Sequence, residues 1–452
     1  MKWLVGTAVS VYAAGFSALS IQRDRAFETG RFDLGNMVQA VWATAHGHPL
    51  RVTDLQGEQV SRLGAHVDPI LVLFAPLWWI WPSAHMLLTA QAIAIALGAL
   101  PVFWLARKHL GSEREAACFA IAYLLLPAVE WLTLNEFHPV ALACPLLLYT
   151  FWFLDEERLV WFAVFAVLAA ATKEEIALAV AGFGFWYALA KGRRAAGAAI
   201  FALGLAWTAV AIGVVIPHFN HGASSFYARY GEVGGSPRGL LQTALHHPGR
   251  LVSKAFSGRG LDYVAQLGLP LALLFLAAPL VLVAAVPDLA LNLLSSTRTQ
   301  TSIHHHYTAG IVPALVVASV LGAARIRRPM PVAAVALLAA ALGNVFLGAL
   351  SQFGSTHVTR HDRIAARALR LIPGAAVVTA TNSLGAHLSA RRRFLSFPIR
   401  ADATWIAVDR TKPGYLDRND RAATARAVAA LRRDPRWRLV FADDGVLVFR
   451  RR

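Results

Sequence analysis

Long apolar runs dominate the chain, and short polar segments separate them. These runs of roughly 15 to 23 residues approach the length of about 20 residues that a helix needs to cross the hydrocarbon core. The pattern predicts about 11 transmembrane helices, at residues 3–21, 84–106, 115–133, 139–154, 158–172, 175–190, 195–216, 264–279, 280–294, 307–324 and 330–350. We therefore expect an α-helical polytopic membrane protein, with the membrane domain over residues 1–352.

Two longer segments between the runs, residues 22–83 and 217–262, are predicted to be loops on the outer face. The first contains an apolar stretch, Pro69 to Trp81, that is rich in tryptophan. This stretch is too short to cross a bilayer, and its aromatic content is typical of the membrane interface. We expect it to form a helix that lies in the interface.

Lys and Arg residues predict the orientation, because short cytoplasmic loops carry an excess of them. Four basic groups fall on one side of the membrane if the N-terminus is inside: Lys2; Arg107, Lys108 and Arg114; Lys191, Arg193 and Arg194; and Arg325, Arg327 and Arg328. The alternate short loops contain a single Lys, Lys173. We therefore expect a cytoplasmic N-terminus, with both long loops and the C-terminal residues outside.

Composition supports a membrane protein. Charged residues make up 15% of the 452 residues, whereas a soluble domain has about 25%. Trp3 to Ile21 has no cleavage pattern followed by a polar chain, so we interpret it as an anchor. Cys118 and Cys144 both lie within hydrophobic runs, which predicts no disulfide and no cysteine metal site.

Residues 353–452 differ from the rest and predict a small, basic α/β domain on the extracytoplasmic side. The expected elements are strands at 374–380 and 403–408, a helix at 422–431, and a hairpin of 438–441 with 446–449 around an Asp-Gly turn. No Gly-rich phosphate loop occurs among them.

The charge of this C-terminal segment indicates its partners. From Thr356 onward it has 20 Lys and Arg but eight Asp and Glu, a net +12 within the chain total of +17. A basic domain beside a membrane favours contact with anionic lipid head groups. Nucleic acid is the other partner of such charge, but a domain on the outer face would not meet it.

Polar residues concentrate at the outer ends of the predicted spans. Five outer segments carry them: Asp33, Asn36 and Gln39; His66 and Asp68; Glu136 and His138; Lys173, Glu174 and Glu175; and His304, His305, His306 and Tyr307. Spans packed as a bundle would bring these ends together around one cleft. A cleft of this composition suits general base catalysis at a hydroxyl, or binding of a phosphate-bearing lipid.

Each group also has a structural interpretation. Asp33 suits a helix cap or an interfacial charge, and Glu136 can pair with His138 within one turn. Lys173 and the two following glutamates suit solvated loop charges. Arg23, Arg25 and Arg31 are interpreted as interfacial side chains that extend to the membrane surface.

The histidine run 304–306 leaves two interpretations open, a metal site and a substrate contact. Metal ligands on a helix prefer i, i+4 spacing, whereas adjacent histidines point in different directions. We therefore expect no cofactor, with a divalent metal as the alternative.

Four motifs carry a family resemblance: Phe-Asp-Leu-Gly-Asn-x-x-Gln-x-x-Trp from Phe32, Glu-Phe-His-Pro from Glu136, Lys-Glu-Glu from Lys173, and His-Tyr-x-Ala-x-x-x-Pro from His306. Together with residues 380–391 they resemble a bacterial family of multi-pass membrane proteins with a domain of unknown function. The resemblance covers roughly residues 25–400. Glu175 stands where the family often has Asp, which preserves the carboxylate.

That family is similar in layout to the GT-C glycosyltransferases, including the protein mannosyltransferase and aminoarabinose transferase groups. The resemblance implies an enzyme of the bacterial plasma membrane that uses a polyprenyl-phosphate-linked sugar as donor. Such enzymes carry an acidic residue just after the first span, where this chain has Asp33. Many have two adjacent acidic residues there, whereas Leu34 follows here.

This analogy predicts a role for each group. Asp33 is the expected catalytic base, and Lys173 with one of the 304–306 histidines would stabilise the leaving phosphate. The residues expected to bind substrate are Asn36, Gln39, His66, Asp68, Glu136, His138, Lys173, Glu174, His305, His306 and Tyr307. The acceptor would be a cell-envelope glycan, lipid or protein.

Two non-enzymatic functions remain as alternatives. A lipid or solute transporter would use the polar residues to line a route across the membrane, and broken helices in corresponding halves would support it. An envelope scaffold would instead tolerate neutralisation of the loop carboxylates.

Overall fold

The computed structural model describes residues 1–222, 225–326, 329–418 and 421–452. Within these ranges, four helices are long and apolar enough to cross a membrane: Lys2–Arg25, Ala84–Leu110, Arg194–Asn220 and Pro331–Ser355. Glu113–Leu124 and Pro127–Leu134 make a fifth if this pair, bent by 46°, counts as one crossing. The bend lies at Pro127, because proline lacks the N–H that a continuous helix requires.

Further apolar helical segments are shorter: Pro69–Ile80, Pro139–Asp155, Leu159–Ala170, Ile176–Ala190 and Val312–Ala324. The first coincides with the predicted interfacial helix, and the other four coincide with predicted spans. Helix length therefore supports four or five crossings in the described part of the chain, fewer than the about 11 predicted. Four of the predicted spans correspond to helices of 17 residues or fewer, which is why length alone supports fewer crossings.

The predicted spans 264–279 and 280–294 do not form continuous helices, which corrects the prediction. The chain breaks into short helical segments there: Gly258–Gly268, Leu269–Leu271, Leu274–Ala277, Pro279–Leu282 and Val286–Leu294. Ala272 and Leu273 adopt left-handed backbone angles, with φ of 51° and 56°. A left-handed residue ends a helix, and apolar composition does not reveal such a break.

Both predicted outer loops contain regular structure. Residues 22–83 include a π-helical turn, Arg31–Gly35, the helix Asn36–Ala45, and a small hairpin of strands β1 (Arg51–Thr53) and β2 (Gln59–Ser61). The described part of 217–262 is helical, with segments Ser225–Val233, Pro237–His246 and Pro248–Ala255.

Basic residues of two predicted inner groups and the N-terminal ammonium group lie at one end of the bundle. The Asp155 carboxylate binds Lys108 at 2.6 Å and Lys191 at 3.0 Å. The N-terminal ammonium group lies 3.7 Å from Glu113 at the same end. Arg327 and Arg328, which also entered the orientation argument, lie outside the described residues. The charged groups of the predicted cleft lie on loops at the opposite ends of these helices.

The C-terminal residues form the small α/β domain that the sequence predicts. Its five strands are β3 (Val378–Ala380), β4 (Phe394–Ser396), β5 (Trp405–Asp409), β6 (Trp437–Asp443) and β7 (Val446–Arg451). They lie in the order β4-β3-β5-β7-β6, in which β3 is parallel to β4 and β5, while β7 is antiparallel to β5 and β6. Helix Arg360–Leu369 covers one face of the sheet and helix Arg421–Arg433 the other.

The hairpin of β6 and β7 turns at Asp444 and Gly445, as predicted. Their φ angles are 46° and 80°, and left-handed angles at both positions are characteristic of a two-residue hairpin turn. Strand β4 was not predicted. It nevertheless completes the parallel edge of the sheet, which contacts the first outer loop.

Candidate functional site

Asp33 lies in the π-helical turn Arg31–Gly35. The Glu136 carboxylate accepts hydrogen bonds from the N–H groups of Gly30, at 3.1 Å, and Leu34, at 2.9 Å. These bonds fix the turn, because N–H groups at the start of a helix have no partner within it. The Asp33 side chain stays 34% exposed, so it is fixed but accessible.

Asp33 is paired with His138. The Asp33 Oδ1 atom lies 3.3 Å from His138 Nε2, and His138 Nδ1 lies 2.7 Å from the Asn135 carbonyl. A carbonyl can only accept, so Nδ1 is the donor to Asn135, and this bond orients Nε2 toward the Asp33 carboxylate. Burial raises the pKa of Asp33, but the His138 hydrogen bond and nearby positive charge outweigh it and lower the pKa. Asp33 is therefore a carboxylate at neutral pH, paired with a group that can hold a proton.

Glu136 supports the Asp33–His138 pair by binding the turn that carries Asp33. Burial, followed by the negative charge of Asp33, raises the pKa of Glu136 well above its usual range. Its backbone has a φ of 53°, which is rare for glutamate. Gln91, an amide within an apolar helix, holds the same loop: its Nε2 donates to the Thr133 carbonyl at 3.0 Å, and its Oε1 accepts from the His138 N–H at 3.0 Å. Glu136 thus contacts backbone, and its predicted role in substrate binding stays a prediction.

The three histidines of 304–306 point in different directions, as their spacing predicts. His306 stacks on His138 with ring centroids 3.8 Å apart, while His304 lies against Trp131. Burial lowers the pKa of His306 well below its usual range, and it also lowers that of His305. His306 is therefore a neutral ring at pH 7. Among the described residues, no group of three or more His, Cys, Asp or Glu is arranged to hold a metal ion.

A cavity of about 120 Å³ lies beside His306. It has room for several water molecules or a small polar group. Predicted site residues that line it are His66, Lys173, Glu174, His306 and Tyr307, and Glu175 lines it too. Residues that the sequence did not single out are Arg229, Tyr230, Asp288, Asn292 and Gln300. His306 therefore contacts the Asp33 pair on one side and the cavity on the other.

The Lys-Glu-Glu motif supplies three charged side chains to this cavity. Lys173 forms an ion pair with Glu175, and Glu174 accepts from His66 Nδ1 at 2.9 Å and from the Val67 N–H at 3.0 Å. Burial raises the pKa of Glu174, but His66 and Lys173 outweigh it and bring the pKa to about 2. Burial raises the pKa of Glu175 to about 7. Glu174 is thus ionised, whereas Glu175 titrates near neutral pH.

Arg229 adds a second cation to the cavity wall. Its guanidinium group donates to the Tyr307 hydroxyl at 3.3 Å and lies 4.5 Å from the Phe226 ring centroid. No carboxylate among the described residues lies within ion-pair distance of it. A guanidinium fork suits phosphate or carboxylate, and in this cavity it lies with Lys173 among three carboxylates, those of Glu174, Glu175 and Asp288.

Asp288 forms part of the opposite wall. It is 9% exposed and forms no hydrogen bond or ion pair with any described residue. The carboxylate fits only because residue 310 is glycine, since a Cβ there would lie 1.9 Å from Asp288 Oδ2. Asp288 was not predicted because it lies within the apolar run 280–294, which was interpreted only as a span. An acidic residue within such a run was the feature that could have identified it.

Six predicted substrate-binding residues lie outside the cavity lining: Glu136 and His138, described above, and His305, Asn36, Asp68 and Gln39. Asn36 donates to the Phe32 carbonyl at 3.0 Å, and Asp68 pairs with Arg62 at 2.8 Å in a buried position. Gln39 is buried and donates to Thr53 Oγ1 at 2.9 Å. These contacts stabilise the first outer loop, while their predicted contacts with substrate stay predictions.

Arg31 is not an interfacial side chain, which corrects the prediction. It is 1% exposed, and its guanidinium group donates to Ser396 Oγ, to the Phe394 carbonyl at 3.0 Å and to the Thr53 carbonyl at 2.8 Å. Arg31 thus connects the Asp33 turn to the C-terminal domain. The sequence predicted an interfacial position for Arg31 because a basic residue just after a span is typical of the interface.

The fold is similar to that of ArnT. Seven chains of solved structures match, including two structures of ArnT from Cupriavidus metallidurans. The apo structure matches with a TM-score of 0.55 and 12% identity over 92% of this chain and 93% of that chain. The structure bound to undecaprenyl phosphate has the same TM-score and identity over 98% and 97%. This similarity is consistent with the GT-C-like layout expected from the motifs.

The family comparison covers nearly the whole chain. No curated protein matches this chain. Residues 23–448 match the family described as "Predicted membrane protein (DUF2079)", a range that contains all four motifs and the C-terminal sheet up to the first residues of β7. The chain therefore belongs to the DUF2079 family of predicted membrane proteins.

Proposed function

We propose that the protein is a membrane glycosyltransferase that moves a sugar from a polyprenyl-phosphate donor to an extracytoplasmic acceptor, such as an envelope glycan, lipid or protein. The observation that carries the proposal is the position of the Asp33–His138 pair beside a cavity with two cations. One of the similar ArnT structures is bound to undecaprenyl phosphate, which supports a lipid phosphate as ligand.

In the proposed reaction, Asp33 accepts the proton of the acceptor hydroxyl. The acceptor oxygen forms a bond to the anomeric carbon while the bond from that carbon to the phosphate oxygen breaks. The polyprenyl phosphate leaves with the electron pair, and Lys173 and Arg229 stabilise its negative charge. His138 lies 3.3 Å from Asp33 and supports the carboxylate during the step.

We further propose that the N-terminus is cytoplasmic and that the site and the C-terminal domain lie outside the bacterial plasma membrane. The meeting of Lys108, Lys191 and the N-terminal ammonium group at one end supports this orientation, because basic residues are retained on the cytoplasmic side. The donor phosphate would then lie at the outer interface, with its polyprenyl chain among the helices.

The Asp33→Asn variant tests the proposal. Protein in nanodiscs is incubated with a panel of polyprenyl-phosphate sugars and envelope acceptors, and released polyprenyl phosphate is measured. We expect the variant to lose about 100-fold to 10,000-fold in rate, and undecaprenyl phosphate to bind it as it binds the original chain. Normal turnover by Asp33→Asn would exclude Asp33 as the base.

Transport is the second candidate because the helices between residues 264 and 294 are broken beside the cavity. Broken helices line substrate sites in many transporters. Flux of a lipid-linked sugar into proteoliposomes, without release of polyprenyl phosphate, would favour transport over transfer.

A further inference from the structure

We infer that the C-terminal domain is part of the active site, and that Asn382 and Arg31 are positioning residues that hold the turn bearing Asp33. This inference rests on the proposed function for its catalytic consequence, but its structural claim is independent of it.

The parallel edge of the C-terminal sheet meets the turn. Asn382 lies two residues after the end of β3, and its Oδ1 accepts a hydrogen bond from the Phe32 N–H at 3.4 Å. The same amide lies on Gly30, where an added Cβ would be 2.7 Å from Asn382 Nδ2. Two consecutive parts of the turn therefore contact one side chain of the other domain.

Glycine is required where the two surfaces approach most closely. A Cβ at Gly35 would lie 2.6 Å from Ser389 Oγ, and a Cβ at Gly385 would lie 2.6 Å from Arg31 Cβ. Backbone of the turn thus lies directly on backbone and short side chains of segment 382–389. Such proximity leaves little freedom for the turn to shift.

Arg31 attaches the other side of the turn to β4. A fully buried cation without a carboxylate is costly unless its donors are satisfied. The terminal guanidinium nitrogens of Arg31 reach oxygen atoms of both Phe394 and Ser396 in β4 and of Thr53 in the first outer loop, while Nε is buried without a hydrogen-bond partner among the described residues. Lysine cannot make these contacts together, because its ammonium lacks the planar fork.

Asn382 is itself held in place by Asp417. The Asp417 carboxylate accepts from the N–H groups of Asn382, at 2.9 Å, and Gly414, at 3.0 Å. Glu136 holds the same turn from the membrane domain. The turn that carries Asp33 is therefore held between two domains, and loss of either support would let the carboxylate move relative to His138.

Hydrogen–deuterium exchange on the full chain in nanodiscs tests the structural claim. Asn382→Ala should raise exchange of the amides in residues 30–36 about fivefold, the loss expected for one hydrogen bond, with little change in the rest of the C-terminal domain. Arg31→Lys should raise exchange in the same peptide. Asn382→Asp keeps an acceptor oxygen, and should restore the protection.

Leu431→Ala is the matched control. Leu431 is buried on the opposite face of the sheet, under helix Arg421–Arg433, and contacts no residue of the turn. This variant should raise exchange in the C-terminal domain and leave residues 30–36 protected. Unchanged exchange at 30–36 in Asn382→Ala, or an increase there as large in Leu431→Ala, would overturn the inference.

Turnover measurements test the catalytic consequence. Asn382→Ala should lower kcat about tenfold with KM for the lipid donor unchanged, because the carboxylate moves while the cavity does not. Asn382→Asp should move the pH dependence of kcat to higher pH, because it adds negative charge near Asp33. A loss confined to KM would overturn the catalytic part. Absence of transfer by the unmodified protein would remove the proposed function, while the exchange results would still decide whether the domain holds the turn.

Discussion

The ring of His306 separates the Asp33 turn from the neighbouring cavity. The two regions differ in how their polar groups are paired. In the turn, the polar groups contact each other and backbone: Glu136 holds two N–H groups and His138 holds Asp33. In the cavity, Arg229 and Asp288 have no ionic partner among the described residues. Fixed geometry suits proton transfer and unpaired charge suits binding, so the two regions should control different kinetic quantities.

The largest effect should come from the turn. His138→Ala removes the hydrogen bond to Asp33 and the stacking partner of His306. We expect kcat to fall about 100-fold or more with KM for the donor nearly unchanged, as for loss of one acid–base group. Steady-state kinetics with a polyprenyl-phosphate sugar measure both quantities.

His357→Ala, a change at an exposed histidine of the C-terminal segment, is the control for this variant. It should leave both constants unchanged. If His138→Ala raised KM and preserved kcat, the division between a catalytic turn and a binding cavity would be wrong.

The sequence predicted the chemistry of both regions but not the division between them. Asp33, His138 and Lys173 were identified because each is an ionisable residue next to an apolar run, where such residues are costly. Which of them contact one another depends on how the helices pack, and Glu136 illustrates this. Its motif predicted a contact with substrate, whereas its carboxylate binds the backbone of a segment about 100 residues away in sequence.

The residues that were not predicted from the sequence lie where no local pattern distinguishes them. Arg229 lies in a long loop whose residues have no clear periodicity, and Gln91 and Asp288 lie within apolar runs that were interpreted only as spans. The contact of Arg31 with Ser396 joins positions far apart in sequence, so no local pattern could reveal it. Strands β5 and β7 were found because their short apolar runs and the Asp-Gly turn before β7 are local signals.

An intermediate effect should come from the cavity. Arg229→Ala removes the cation that has no carboxylate partner among the described residues, so its loss should weaken lipid phosphate binding rather than the chemical step. We expect the Kd of undecaprenyl phosphate to rise about 10-fold to 100-fold, the range for a charge-assisted hydrogen bond. Binding to protein in nanodiscs, followed by native mass spectrometry, measures it.

Arg238→Ala is the matched control because Arg238 lies exposed on the nearby helix Pro237–His246. Its Kd should equal that of the unmodified protein. An equal loss in both variants would indicate general attraction between basic residues and the lipid, and would contradict a specific cavity.

The smallest effect should be a pH dependence of binding that comes from Glu175. Its pKa of about 7 means that Glu175 loses its proton between pH 6 and pH 8, and the new negative charge then offsets that of Lys173. The cavity should therefore bind phosphate more weakly as pH rises, by about threefold to tenfold over this range. Glu175→Gln should remove this contribution because its amide does not ionise.

The lipid phosphate titrates in the same range and gains negative charge as pH rises, which strengthens its attraction to Lys173 and Arg229. That change affects the original chain and the Glu175→Gln variant equally. The informative quantity is therefore the ratio of their two Kd values for undecaprenyl phosphate at each pH. The ratio of the original Kd to that of Glu175→Gln should increase from pH 6 to pH 8. A constant ratio would mean that Glu175 keeps one charge state throughout, and that the charge of Lys173 is not under its control.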